Sequence, residues 1–124
     1  MNDLQELYDV HSYTEKLDLA RDINTPAHIL EELSNDKSYW VPIYVAVNPS
    51  TPIHILEKFY NNKSRNFAFK LAIAENPSTP AYILEALSIH YGSISRTVMF
   101  NSSTPEYVIE KTYYQSIKSQ LKFC

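Results

Sequence analysis

The sequence predicts an all-α fold: a right-handed α-solenoid of about four two-helix repeats, with capping helices at both ends. Thr-Pro stands at Thr25-Pro26, Thr51-Pro52, Thr79-Pro80 and Thr104-Pro105, at intervals of 26, 28 and 25 residues, and a near-constant spacing of this size marks stacked helical units. The pentapeptide NPSTP spans Asn48 to Pro52 and Asn76 to Pro80, with NSSTP at Asn101 to Pro105. An apolar helical pattern lies on each side of every one of these turns.

The chain of 124 residues reads as one domain. An N-terminal cap (1–11) carries Leu4, Leu7 and Tyr8 at i, i+3, i+4. Repeats follow over about 12–37, 38–63, 64–92 and 93–115, and a cap or tail (116–124) closes the chain, with Tyr114, Ile117 and Leu121 as its covering stripe. Caps are needed because each repeat exposes an apolar face until a neighbour covers it. Eight or nine short helices and no sheet are expected.

Within each repeat, helix A ends at an Asx residue: Asp22, Asn48, Asn76 or Asn101. Three residues earlier stand Leu19, Val45, Ile73 and Val98; two earlier stand Ala20, Ala46, Ala74 and Met99. The alanines mark a close approach of helices, and Ser12 with Glu15 forms a capping box for the first helix A. Pro49 and Pro77 bias the preceding asparagine out of helical geometry, and the Asx side chain supports the turn. Threonine is then expected as N-cap and proline as the first residue of helix B. The four B helices begin AHILEEL, IHILEKF, AYILEAL and EYVIEKT. Their buried stripe is Ile29, Leu30, Leu33; Ile55, Leu56, Phe59; Ile83, Leu84, Leu87; and Val108, Ile109.

This pattern, Val45-Ala46-Val47-Asn48-Pro49-Ser50-Thr51-Pro52 through Ile55-Leu56-Glu57 and again from Ile73 to Glu85, resembles the leucine-rich repeat variant (LRV) family, helical solenoids related to HEAT and armadillo repeats. The resemblance covers about residues 12 to 112. In that family the second helix of a pair can be a 3₁₀ helix, so the resemblance leaves the Thr-Pro helices either α or 3₁₀. The family's founding member also carries an iron–sulfur cluster in a cysteine-rich segment, which does not carry over to a chain whose one cysteine is Cys124. The family's basic residue in helix A is matched only by Arg96, where the other repeats have Leu17, Ile43 and Leu71.

Composition bounds the function. At 44% hydrophobic and 20% charged residues, the chain has the make-up of a folded soluble protein. Its N-terminus carries acids among its leucines and no long apolar run, so no signal peptide or membrane partner is expected and the location expected is cytoplasmic. The lone Cys124 excludes a disulfide framework and a cysteine metal cage. Ten tyrosines, eleven isoleucines and nine asparagines all have AT-rich codons, as in the genome of a phage or mobile element. No glycine-rich phosphate loop, HExxH or Cys–His arrangement is present, so the sequence predicts no enzyme, no catalytic residue and no cofactor.

The candidate site is a column near the start of helix B: His28, His54, Tyr82 and Tyr107. Three residues on, on the same outward face, come Glu31, Glu57, Glu85 and Glu110. Helix axes about 8–10 Å apart would turn these into ladders roughly 25–30 Å long, suited to a protein segment rather than a small molecule. Tyr and His combine apolar area with a polar tip, which suits an interface. The other reading is a scaffold, with the rings lying on their own helix or a neighbouring turn and the glutamates solubilising it. A zinc shared by His28 and His54 lacks a closed ligand set, and no metal site is expected.

Charge adds two expectations. Residues 1–57 carry a balance of −7 and residues 58–124 one of +4, giving an acidic end and a basic end that would orient a partner or favour weak head-to-tail association. Lys58, Lys63, Arg65 and Lys70, with Phe59, Tyr60 and Phe67 nearby, form an alternative nucleic-acid site. It ranks second because Phe59 and Phe67 fit buried positions, the pI is about 5.7, and the glutamate ladder repels a phosphate backbone.

Overall fold

The computed structural model describes residues 12–62, 66–90 and 92–121. The expected N-terminal cap with Leu4, Leu7 and Tyr8 lies outside them, as do Lys63, Arg65 and Cys124. Among the described residues the protein is all-α, with eight helices and no strand. The first helices of the pairs are α1 (Tyr13–Arg21), α3 (Trp40–Val47), α5 (Phe67–Glu75) and α7 (Ser93–Phe100). The second helices are α2 (Ala27–Ser34), α4 (Ile53–Asn61), α6 (Ala81–Ser88) and α8 (Glu106–Leu121). Each first helix packs on the first helix of the next pair, while α2, α4 and α6 pack on the first helices of their own pair and the next. Leu30, Leu33, Val41, Val45, Ile55, Phe59, Ile73, Ile83, Leu84, Leu87, Val98 and Val108 belong to one buried cluster between them.

Ser12 caps α1, its Oγ accepting from the Glu15 amide at 3.4 Å. The Thr-Pro turns depart from the expected capping. Pro26, Pro52 and Pro80 are the N-cap residues, in extended conformation, and no side chain caps α2, α4 or α6. Threonine therefore stands one residue too early to reach the first helical amides. Its hydroxyl turns back instead: Thr25, Thr51, Thr79 and Thr104 donate to the carbonyls of Leu19, Val45, Ile73 and Val98 at 2.6 to 2.7 Å. These carbonyls lie in the last turn of the preceding helix, where acceptors lack a full set of intrahelical partners.

Of the two geometries left open for the Thr-Pro helices, they take the α-helical one. Bonds of the i→i+3 type occur in their first turns, as from the Ile29 amide to the Pro26 carbonyl at 3.1 Å. In α2, α4 and α6 the apolar residues at the third, fourth and seventh positions gather on one face at 3.6 residues per turn.

Three asparagines tie the turns together. Asn48 Nδ2 donates to the carbonyls of Ala20 (2.8 Å) and Asp22 (2.9 Å). Asn76 repeats this on Ala46 and Asn48, and Asn101 on Ala74 and Asn76, at 2.7 to 2.9 Å. Each Oδ1 accepts the amide two residues on, from Ser50, Ser78 and Ser103. The serine hydroxyls donate to the previous turn, at Ile23, Pro49 and Pro77. Ala20, Ala46 and Ala74 are fully buried, and their small side chains allow the asparagine amide to reach a helix-end carbonyl.

Two further expectations are corrected. Phe67 is 55% exposed at the start of α5, and Phe69 takes the buried place beside Phe59, with ring centroids 5.2 Å apart. The boundary placed between 115 and 116 falls inside the unbroken α8. The stripe on that helix does not cover the end of the fold, for Tyr114 is 76% and Leu121 64% exposed. Instead the polar side of α8, with Thr112, Gln115 and Ser116, shares a cavity with Arg96 and Met99 of α7. The lone glycine, Gly92, has φ 83° at the N-cap of α7, a left-handed conformation that side chains disfavour.

Candidate functional site

His28, His54, Tyr82 and Tyr107 each occupy the second position of their helix, α2, α4, α6 and α8, just before a buried pair in the first three and before the buried Val108 and the half-buried Ile109 in α8, where the apolar stripe predicts a buried Ile109. That placement leaves all four exposed. Glu31, Glu57, Glu85 and Glu110 follow nearly one turn later, with Glu31 and Glu110 exposed and Glu57 and Glu85 half-buried.

The two columns join across the pairs. Tyr82 Oη donates to Glu57 Oε2 in a short hydrogen bond, and Tyr107 Oη donates to Glu85 Oε2 at 3.0 Å. His54 Nε2 lies 3.6 Å from Glu31 Oε1, an ion pair when the imidazole is protonated. Each glutamate thus reaches forward to the ring of the following pair. Tyr82 and Tyr107 keep 56% and 55% of their surface exposed. The hydrogen bond to Glu57 raises the Tyr82 hydroxyl pKa, and that to Glu85 does the same for Tyr107. His28 and Glu110 stand at the two ends of the array.

Such exposed pairs add little to stability, because water screens them and ordering two side chains costs entropy. What they do is hold the rings. A row of exposed rings already fixed in orientation loses less conformational freedom when a partner binds.

Of the alternative basic site, Lys58 and Lys70 are among the described residues and Lys63 and Arg65 are not. Lys58 Nζ donates to Asn35 Oδ1 at 2.7 Å, Lys70 is half-buried on α5, and Phe59 is buried. Among the described residues no three His, Cys, Asp or Glu side chains gather to hold a metal ion, and no helix is long and apolar enough to cross a membrane.

Sequence reasoning missed a second exposed feature. Tyr13, Tyr39 and Phe67 all stand nine residues before their Asx, at the starts of α1, α3 and α5, and are 42%, 52% and 55% exposed. Tyr39 packs edge-on against Trp40 at 5.0 Å between centroids, and Asn66 Nδ2 donates to its hydroxyl at 3.4 Å. The Arg21 guanidinium lies 5.1 Å from the centre of the Tyr44 ring, a cation–π contact. The signal was present in the column spacing, once counted back from the Asx.

Comparison of the chain with protein-family models, with curated proteins and with solved structures returns no match.

Proposed function

We propose that the protein is a non-catalytic protein-binding module: a four-repeat α-solenoid of LRV type whose B-helix face engages an extended or helical segment of another protein. The observation that carries this reading is the ring-to-glutamate array, in which Glu57 and Glu85 anchor Tyr82 and Tyr107 from the neighbouring pair. Rings with polar tips, set at the repeat spacing and held from behind, match the make-up of interface hot spots. The packing of first helix on first helix in chain order and the asparagine bonds from turn to turn support the solenoid of four pairs. We read such a module as an adaptor or an inhibitor of the protein it binds.

The test is affinity capture from a lysate of the source organism. It compares wild type with a variant carrying His28→Ala, His54→Ala, Tyr82→Ala and Tyr107→Ala, after checking equal helicity. A protein retained by wild type and lost by the folded variant is the expected outcome. Equal retention would move the site to another face, and the half-exposed aromatics Tyr13, Tyr39 and Phe67 on the A helices are then the surface to vary next.

A further inference from the structure

Two columns that are apolar in the first three repeats turn polar together in the fourth. Five residues before the Asx, Leu17, Ile43 and Leu71 give way to Arg96. Eight residues after the turn threonine, the buried Leu33, Phe59 and Leu87 give way to Thr112. These changes lie on different helices, α7 and α8, yet Arg96 and Thr112 line one cavity of about 220 Å³. Ser88, Gln115 and Ser116 complete much of its wall, and no Asp or Glu lines it among the described residues.

The hydroxyls of Ser88 and Thr112 donate to carbonyls of their own helices, at Glu85 (2.6 Å) and Val108 (2.7 Å). The Arg96 guanidinium, the Gln115 amide and the Ser116 hydroxyl make no side-chain hydrogen bond or ion pair among the described residues. The cavity therefore gathers one permanent cation and the neutral donors of Gln115 and Ser116, with Gln120 also in its lining, and no carboxylate among the described residues competes for them. Arg96, Gln115 and Ser116 are exposed, whereas Ser88 and Thr112 are buried, so the three donors are open to an acceptor-rich group from solvent.

We propose that this cavity is an oxyanion site that takes a phosphate group. The planar guanidinium fork pairs bidentately with two phosphate oxygens, and the Gln115 and Ser116 donors serve the others. The site lies in the half of the chain with a balance of +4, which favours an anion at long range. The volume exceeds that of a phosphate group alone, so both free phosphate and a small phosphate ester fit the same chemistry. The inference stands apart from the protein-binding reading, since no residue of the Tyr and Glu array lines the cavity.

The test titrates the isotope-labelled full chain with inorganic phosphate and, separately, with O-phosphoserine, at constant ionic strength in chloride buffer. Saturable shifts are expected at the amides around Arg96 and Thr112 to Ser116. Affinity should fall by about tenfold or more in Arg96→Leu and in Thr112→Leu. Both variants install the residue that stands in the same column of other repeats, so both should fold, and helicity checks this. O-phosphoserine binding about tenfold tighter than phosphate would assign an ester; equal affinity would assign the free ion. No saturable shift with either probe up to tens of millimolar, or equal affinity in both variants, would overturn the proposal.

Discussion

Two polar columns run through this protein with the same period, and they have opposite environments. Asn48, Asn76 and Asn101 are buried at the turns, where each side chain bonds to the backbone of two successive turns. Tyr82 and Tyr107 are exposed on the B helices and bond to a glutamate side chain. A buried amide that loses its partners leaves donors and acceptors unsatisfied in a medium that cannot hydrate them; an exposed hydroxyl that loses its partner returns to water. Repetition alone therefore does not distinguish a column that holds the fold from one free to bind. Burial does.

The largest effect should come from the inner column. Asn76→Ala removes the donors to Ala46 and Asn48 and the acceptor for Ser78, and is expected to cost about 2–4 kcal/mol by urea unfolding. Asn76→Asp should cost at least as much, because a carboxylate cannot donate and would face two carbonyl oxygens. Its counterpart at the first turn is already an acid: Asp22 accepts the Asn24 amide at 2.8 Å, as the Asn Oδ1 atoms do two residues on. A near-neutral Asn76→Asp would show that the amide donors carry little of the stability.

A step smaller is Thr79→Val. It keeps the shape and removes the buried hydroxyl bond to the Ile73 carbonyl, 2.7 Å long, at an expected cost of about 1 kcal/mol. The same change at the half-buried Thr97, whose bond to the Ser93 carbonyl is exposed, should cost less; equal losses would separate cost from burial.

Asp36 tests the intermediate case, in the turn between α2 and α3. Burial alone would push its carboxyl pKa up, but hydrogen bonds from Ser38 and Lys16 outweigh this and hold it below the usual value. Lys16 Nζ lies 3.1 Å from Oδ1. Because the folded pKa is depressed, the stabilisation is present above the usual carboxylate range and is lost as pH falls through the folded value, below about pH 4. Wild type should exceed Asp36→Asn in stability at pH 7, and the gap should close in acid unfolding as pH falls through the folded value. A gap independent of pH would remove the carboxylate from the account.

The smallest expected effect lies on the outer column. Tyr82 and Tyr107 should ionise at higher pH than exposed tyrosines without a carboxylate, as read by ultraviolet absorbance, and Glu57→Gln with Glu85→Gln should abolish the difference. No change in that titration would mean that the pairs do not persist in solution.

Much of the architecture is legible in the sequence because a repeat compares the chain with itself. The Thr-Pro period locates every turn between paired helices, and the apolar stripe Ile29, Leu30, Leu33 and its counterparts through Val108 is buried. What escapes is the direction of side chains across repeats. Thr25 and its equivalents look like N-caps, yet proline in extended conformation takes that place and turns the hydroxyl backward. The asparagines look like local turn residues, yet their amide groups serve the previous repeat, a contact between residues 25 to 30 apart in sequence. The outward column is legible as exposed; its pairing with the preceding repeat's glutamates is not, since it depends on how far one helix stands from the next. Phe67 reads as core by composition and is exposed, because the next aromatic, Phe69, meets Phe59 first.

The most direct test of the division between the columns is urea unfolding of two double variants side by side, Asn48→Ala with Asn76→Ala and Tyr82→Ala with Tyr107→Ala. The asparagine pair is expected to unfold at far lower urea than wild type, while the tyrosine pair unfolds at the wild-type midpoint. A tyrosine pair that loses as much stability as the asparagine pair would make the outer array part of the scaffold and contradict its assignment as a binding face.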